Sequence, residues 1–474
     1  VLRRTKIVCT VGPATRDPRL IRSLISAHVD VFRINFSHGD RESHSEEIET
    51  IKGEASRASR TVAILQDLPG PKIRVGRMKS GAVDLVKGQQ FLLTSKSVLG
   101  DERAASVNYP DLLRSLKKGD VLHLADGIIR LRVDESDGRG AMCTVLVGGT
   151  LSSGKGVNAP GVRMRLAYPT EEDLGHLRFG LSKGVDFVAL SFVRSAGDVR
   201  AVRRHLSNSD VQLIVKVEKK EAVESFDEIL EEADGAMVAR GDLGIEVPIE
   251  RVPAIQKSII RKCMKAGKPV IVATQMLESM VNYPVPSRAE VTDVSTAILD
   301  GADAVMLSDE TAVGKYPVES VKMLDRIARA SESMLKRHVD SVEQPTTVIE
   351  EAVGRAACML AEYVSASVIV APTQTGYTAR RVSAYRPRQP VVALCTEESV
   401  ARRTKLYWGV IPALSREVKT TDELFERARE AAIALGLAEA GDRIVVTSGT
   451  PGKKGSTDLV KVLTLGPPKG RLKR

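Results

Sequence analysis

The chain has 474 residues, of which 43% are hydrophobic and 27% charged. This is the balance of an ordinary globular protein, and it excludes a largely disordered chain, a collagen-like repeat and a disulfide-stapled mini-protein. Lys and Arg outnumber Asp and Glu by 70 to 60, which reads either as a merely solvated basic surface or as one suited to small anionic substrates or nucleic acid.

Short β-branched runs recur along the chain, each ended by polar residues or Gly and Pro. They are Lys6–Thr10, Val31–Phe36, Val62–Gln66, Phe187–Phe192, Leu213–Glu218, Ala236–Ala239, Val270–Thr274 and Ala304–Leu307. Helical spacing fills most of the gaps, at Pro18–Ala27, Glu42–Ser56, Glu171–Lys183, Ala196–Leu206, Ile255–Ala266 and Glu290–Leu299. Apolar strands alternating with helices predict a parallel sheet covered by helices. Eight of them suit an α/β fold of the (β/α)8 TIM barrel type. From Pro71 to Ala167 the rhythm changes to short strands and turns with little helix, which predicts a small β-barrel lid inserted after the third strand. A long helix, Val318–Arg337, and a linker around Ser341–Thr347 lead to a C-terminal α/β unit. Its expected strands are Val368–Ala371, Val391–Thr396, Val410–Ala413 and Arg443–Ser448, with a helix over Thr421–Leu437. The expected division is 1–70 and 169–342 for the barrel, 71–168 for the lid and 343–474 for the last unit.

Aromatic residues make up only 4%, which leaves few stacking platforms for single strands. No helix-turn-helix, zinc-finger or RNP signature is present, so nucleic acid is not the expected partner. No run approaches 18 apolar residues, so no membrane partner is expected. Val1–Val11 lacks the apolar core of a signal peptide. Five cysteines without a CxxC pair read as reduced thiols, and the expected location is cytoplasmic.

Alternation along a strand places Arg33, Asn35 and Ser37 on one face and Phe32, Ile34 and Phe36 on the other. The polar face is either solvated or, in a parallel barrel, turned inward near the C-terminal rim, where an Arg suits an anionic substrate. Lys216 and Glu218 likewise share a face, either as a structural ion pair or as an ammonium beside a metal-binding carboxylate. Asp242 follows the next strand in the Gly-punctuated turn Arg240-Gly241-Asp242-Leu243-Gly244. A Glu218–Asp242 oxygen pair is typical of magnesium, which takes one or two carboxylates and completes its octahedron with water and substrate. Thr274-Gln275, Ser308-Asp309-Glu310-Thr311 and Gln66-Asp67 are further polar strand ends, as a rim active site requires. Pro372–Thr378 is a hydroxyl- and Gly-rich turn after a strand, either an ordinary helix start or a phosphate cradle.

These segments together resemble the pyruvate kinase family over essentially the whole length. The motifs are Lys6–Ala14, Arg33–Gly39, Asp67–Arg74, Lys155–Asn158, Lys216–Glu218, Ala239–Gly244, Ala273–Met280 and Met306–Ala312. The resemblance implies phosphoryl transfer from phosphoenolpyruvate to ADP, giving pyruvate and ATP. It implies a divalent ion, Mg2+ or Mn2+, on Glu218 and Asp242. Lys216 and Arg33 would meet the phosphoryl group, and Gly241, Asp242 and Thr274 would seat the substrate. Thr274, or its rival Lys216, would protonate the enolate. Asn35, Ser37, His38, Arg74 and Lys155 would face the nucleotide. Asn35, Ser37, Asp67 and the carbonyl of Leu68 match the family's K+ ligands. Many members carry Glu where this chain has Lys72, so K+ is expected to be dispensable here. Thr373, Gln374, Thr375, Gly376, Tyr377 and Thr378, closed over by Lys453 and Lys454, match a regulatory site for a phosphorylated sugar or nucleotide. A homotetramer is implied. Another magnesium-dependent barrel enzyme acting on phosphoenolpyruvate or pyruvate, such as an aldolase, is the runner-up, and an RNA-binding protein the third reading.

Overall fold

The computed structural model describes residues 2–162, 167–206, 209–335, 346–449 and 457–466. Eight parallel strands close into a barrel in chain order: Lys6–Val11, Val31–Asn35, Ala63–Leu68, Phe187–Leu190, Gln212–Val217, Gly235–Ala239, Val270–Ala273 and Ala304–Leu307. The first pairs with the last, Lys6 opposite Ala304, which leaves no edge. Most of their residues are apolar on both faces because one meets the helices and the other fills the interior, with Thr10, Arg33, Asp67 and Lys216 among the exceptions near the strand ends. Ile7, Cys9 and Val11 point to the helix layer, while Val8 packs inside with Val31, Leu65 and Ile214.

The helices begin where short polar side chains can cap them. Asp40 with Ser43, Thr170 with Asp173 and Ser287 with Glu290 each form reciprocal capping boxes. These satisfy backbone N–H groups that the first turn leaves unpaired. The helix expected from Ile255 starts at Val252 instead, because Pro253 in its first turn needs no hydrogen-bonded N–H. The helix expected over Val318–Arg337 spans Pro317–Glu332.

Between Leu68 and Thr170 lie a six-stranded and a two-stranded sheet. They enclose a core that includes Phe91, Leu122, Leu131 and Val145. Three short strands, Ala104–Ser106, Gly149–Ser152 and Val157–Asn158, and one helix, Pro110–Ser115, were not expected there. The strands are too brief for alternation to show. Gly70, at the junction, has φ +65°, and a Cβ there would lie 2.8 Å from the Ser191 carbonyl oxygen, so only glycine fits.

The C-terminal unit holds a five-stranded sheet in the order Val410–Leu414, Val391–Cys395, Val368–Thr373, Arg443–Ser448, Leu459–Thr464. The last strand is antiparallel and was not expected. Residues 341–345 of the expected linker lie outside the described residues.

This unit closes the N-terminal floor of the barrel. Asp30, Asp186 and Asp303 each directly precede a strand and accept a backbone N–H from the strand before, those of Ile7, Ile64 and Val270. Their carboxylates also meet cations of the C-terminal unit: Lys405 at 2.6 Å, Arg402 at 2.9 Å and Arg386 at 2.9 Å. Buried carboxylates need such partners. The opposite rim is left open for chemistry.

Candidate active site

The C-terminal rim carries one connected run of charge. Arg33, on the second strand, donates from Nε to Asp67 Oδ2 at 2.7 Å and from Nη1 to Thr10 Oγ1 at 3.0 Å. Asp67, on the third strand, presents Oδ1 to Lys216 Nζ at 3.3 Å. Lys216, on the fifth, lies 2.8 Å from Glu218 Oε1 and donates to Ser191 Oγ at 2.7 Å. Phe192 N donates to Glu218 Oε2 at 2.8 Å. All of these side chains are largely buried.

Burial opposes the charge on Asp67, but Lys216 and Arg33 outweigh it and hold its carboxyl below the usual range. Burial likewise opposes the Lys216 ammonium, yet Asp67 and Glu218 push its affinity for the proton above normal. Glu218 moves the other way. Its burial, with Asp242 nearby, raises its carboxyl despite Lys216. The Oε1 atom of Glu218 is buried and makes no hydrogen bond, and its one close partner is the Lys216 ion pair. A buried carboxylate oxygen so placed, next to a second carboxylate, fits a hard divalent cation. Among the described residues no group of three or more His, Cys, Asp or Glu is placed to hold a metal ion.

Asp242 lies in the helix Arg240–Glu246, directly after the sixth strand. Gly241 N donates to Thr274 Oγ1 at 2.8 Å, and that hydroxyl donates to Ala273 O at 2.6 Å. Thr274 and Gln275 have φ of +69° and +54°, a region that costs a β-branched residue energy. Arg240 holds the turn: it donates to the carbonyls of Thr274 and Gln275 at 2.7 and 3.1 Å and pairs with Asp293. The structure thus joins Gly241 to Thr274, with Asp242 the next residue along.

Of the residues expected to face a nucleotide, Asn35, Ser37 and His38 lie at the end of the second strand, and Arg74 and Lys155 lie in the lid. Asn35 Oδ1 accepts from Ser37 N at 3.1 Å. His38 faces Arg74, Lys72, Asp309 and Arg33, and burial with the two lid-side cations lowers its proton affinity. Arg74 donates from Nη1 to Gly154 O at 3.0 Å, and its backbone bridges to Gly156. The neighbouring Lys155 is exposed. Lys72 packs along Gly156, its Cε 3.3 Å from where a Cβ would stand. Asp67 is fully engaged by Arg33, Lys216 and Ser191, and Leu68 is buried beside it.

In the C-terminal unit, Gly376 N donates to Thr373 Oγ1 at 2.9 Å with φ +86° at Gly376, and the turn runs into the helix Tyr377–Ala384. Gln374 and Thr375 are exposed. Thr378 Oγ1 meets Thr457 Oγ1 at 2.8 Å, which brings Thr457 to this turn. Lys453 and Lys454 lie outside the described residues.

Residues 2–321 match the family model for the pyruvate kinase barrel domain, and residues 351–463 match that for the pyruvate kinase alpha/beta domain. The chain belongs to the pyruvate kinase family. It is a phosphotransferase. It is similar to the pyruvate kinase of Geobacillus stearothermophilus, 47% identical over 470 residues, covering 97% of this chain and 80% of that protein. It is 44% identical to the pyruvate kinase of Thermotoga maritima over 466 residues, 98% of this chain and 99% of the relative. The pyruvate kinase of Sporosarcina psychrophila is also 44% identical, over 474 residues, 98% and 81% of the two chains. No helix among the described residues is long and apolar enough to cross a membrane.

Sequence reasoning passed over four members of this pyruvate kinase-family rim: Thr10, Ser191, the Phe192 amide and Arg240. Ser191 was within reach of the rule that polar residues stand at strand ends. Arg240 stood inside a quoted motif, but its role lies in carbonyls that no motif reveals.

Proposed function

We propose that the chain transfers the phosphoryl group of phosphoenolpyruvate to ADP, giving pyruvate and ATP in the last step of glycolysis. The observation that carries this reading is the run Arg33–Asp67–Lys216–Glu218 ending beside Asp242. Phosphoryl transfer asks for positioning and charge neutralisation more than covalent chemistry, and this run supplies both signs of charge in fixed places.

Glu218 and Asp242 would hold a divalent cation, Mg2+ or Mn2+, which when bound would supply Lewis acidity for phosphoryl transfer. Lys216 and Arg33 neutralise the transferring group, with Asp67 between them fixing their spacing. Gly241 and Thr274 orient the three-carbon unit. After transfer an enolate must take up a proton. The Lys216 ammonium meets Asp67, Glu218 and Ser191, and the Thr274 hydroxyl donates to Ala273 O, so either group, directly or through water, gives up an existing contact to serve as the relay. Asn35, Ser37, His38, Arg74 and Lys155 receive the nucleotide, and the lid, residues 71–168, excludes water when it closes over them. Residues 1–70 and 169–342 form the barrel and 343–474 the regulatory unit. Lys72 brings positive charge to the mouth where other members use K+. The turn Thr373–Thr378 binds a phosphorylated effector, and four chains assemble into a tetramer.

Phosphoenolpyruvate, ADP and Mg2+, with pyruvate and ATP each assayed enzymatically, test the reading. One ATP per pyruvate is expected. Pyruvate without ATP, or an aldol product, would reject it.

A further inference from the structure

The helix that carries Asp242 ends at Glu246, a buried carboxylate for which the mechanism above has no use. Two donors converge on its Oε1. Lys219 Nζ, on the residue after Glu218, lies at 2.5 Å. Asn158 Nδ2, from the lid, lies at 3.4 Å. The preceding residue, Ile245, is a second contact: its Cγ1 stands 3.6 Å from where a Cβ on Gly127 of the lid would be. Both lid contacts come from one ladder, since Val157 and Asn158 pair antiparallel with Leu124 and His123, and Ala125 N donates to Gly156 O. Lys155 lies at the start of that same strand segment, and Val75 N donates to its carbonyl at 2.9 Å. A small crevice beside the contact is lined by Lys72, Asn158, Phe192, Arg194 and Lys219, which marks the seam between lid and barrel.

We infer that Glu246 is a positioning residue, a latch that docks the lid on the metal-site helix and so sets Lys155 over the nucleotide. The inference rests on the phosphotransfer reading for its kinetic consequence, but the docking itself does not. Glu246 suits the task because one oxygen is shared between a barrel cation and a lid amide. The carboxylate is held in place by Lys219 whether or not the lid is down. The lid amide then adds a single long hydrogen bond, at 3.4 Å, to the same oxygen. When the lid lifts, Asn158 and Gly127 leave together because one ladder carries both.

The test compares the parent with Asn158→Ala, Glu246→Leu and the double variant. Spin labels on Lys118→Cys in the lid and Ala254→Cys on the barrel read closure as a distance. All five native cysteines are buried and do not compete for label. Asn158→Ala is expected to lengthen that distance in the ligand-free protein. It is also expected to raise KM for ADP by roughly threefold to tenfold, the range one such hydrogen bond supplies. kcat and the KM for phosphoenolpyruvate should stay within about twofold. The double variant should be no worse than Glu246→Leu alone, because both changes break one contact. An unchanged distance and ADP KM in Asn158→Ala overturn the latch, as does strict additivity in the double variant. If the parent protein transfers no phosphoryl group, the reading of function fails. The distance measurement on Asn158→Ala still decides the latch.

Discussion

Lys216 Nζ sits 3.3 Å from Asp67 Oδ1, two strands away across the barrel mouth. That contact turns two separate strand-end motifs into one device. Arg33 and Lys216 are both cations, and unscreened they would repel in a buried site. The Asp67 carboxylate between them bridges the two and offsets that repulsion. Its own two oxygens are used up in the process.

Lys72 gives the first test. It packs along Gly156 at the lid edge and faces the same mouth as His38 and Arg74. Near-full activity is expected in buffers free of K+ and Na+, with tetramethylammonium holding ionic strength constant. Lys72→Glu is expected to make the enzyme K+-activated, since the variant removes the fixed positive charge that stands in for the ion. A large rate increase on adding K+ to the parent protein would show that Lys72 does not take the ion's place.

Regulation is checked at the turn after Val368–Thr373. Phosphorylated sugars and nucleotides are to be screened for one that lowers the apparent KM for phosphoenolpyruvate, with coupling on the order of 1–3 kcal/mol. Thr375→Glu sets a carboxylate into the exposed turn and should abolish that response while leaving the basal rate alone. A response that survives Thr375→Glu places the effector elsewhere.

How far the sequence reaches is visible in these examples. The eight barrel strands and the rim pairs Arg33/Asn35 and Lys216/Glu218 were legible because alternation and strand-end polarity are local signals. The lid strands Gly149–Ser152 and Val157–Asn158 were not, because two to four residues carry no period and their pairing is settled by distant partners. The last strand, Leu459–Thr464, alternates weakly and lies beyond a Gly-rich loop. The link from Asp67 to Lys216, the clamp of Arg240 on the Thr274 carbonyl and the pairing of Asp303 with Arg386 join residues far apart in the chain. Nothing in a single sequence announces such contacts.

The barrel floor makes a prediction about pH. Lys6 is buried, donates to Val410 O at 2.7 Å and faces Asp30, Lys405, Arg3 and Glu332. Burial, with Lys405 and Arg3 adding to it, pushes the ammonium down to about 7 against the opposing pull of Asp30. In the unfolded chain the group holds its proton to about 10.4. Between those values the unfolded state binds the extra proton, so stability rises with pH across the window. Urea unfolding of the parent and of Lys6→Met at pH 7 and pH 9.5 isolates this group. The parent should gain on the variant at the higher pH. A difference that stays constant or shrinks would show that Lys6 keeps its ordinary basicity in the folded protein.

The central claim is that Glu218 and Asp242 hold the metal while Lys216 serves the moving phosphoryl group. Its most direct test sets phosphoryl transfer against Mn2+ affinity in Lys216→Met and Glu218→Ala. Lys216→Met is expected to lower kcat by roughly three orders of magnitude, the scale of losing a charge aimed at the transition state, with Mn2+ affinity within a few fold of the parent. Glu218→Ala is expected to lose both. Near-parental kcat in Lys216→Met, or unimpaired Mn2+ binding in Glu218→Ala, would contradict the claim.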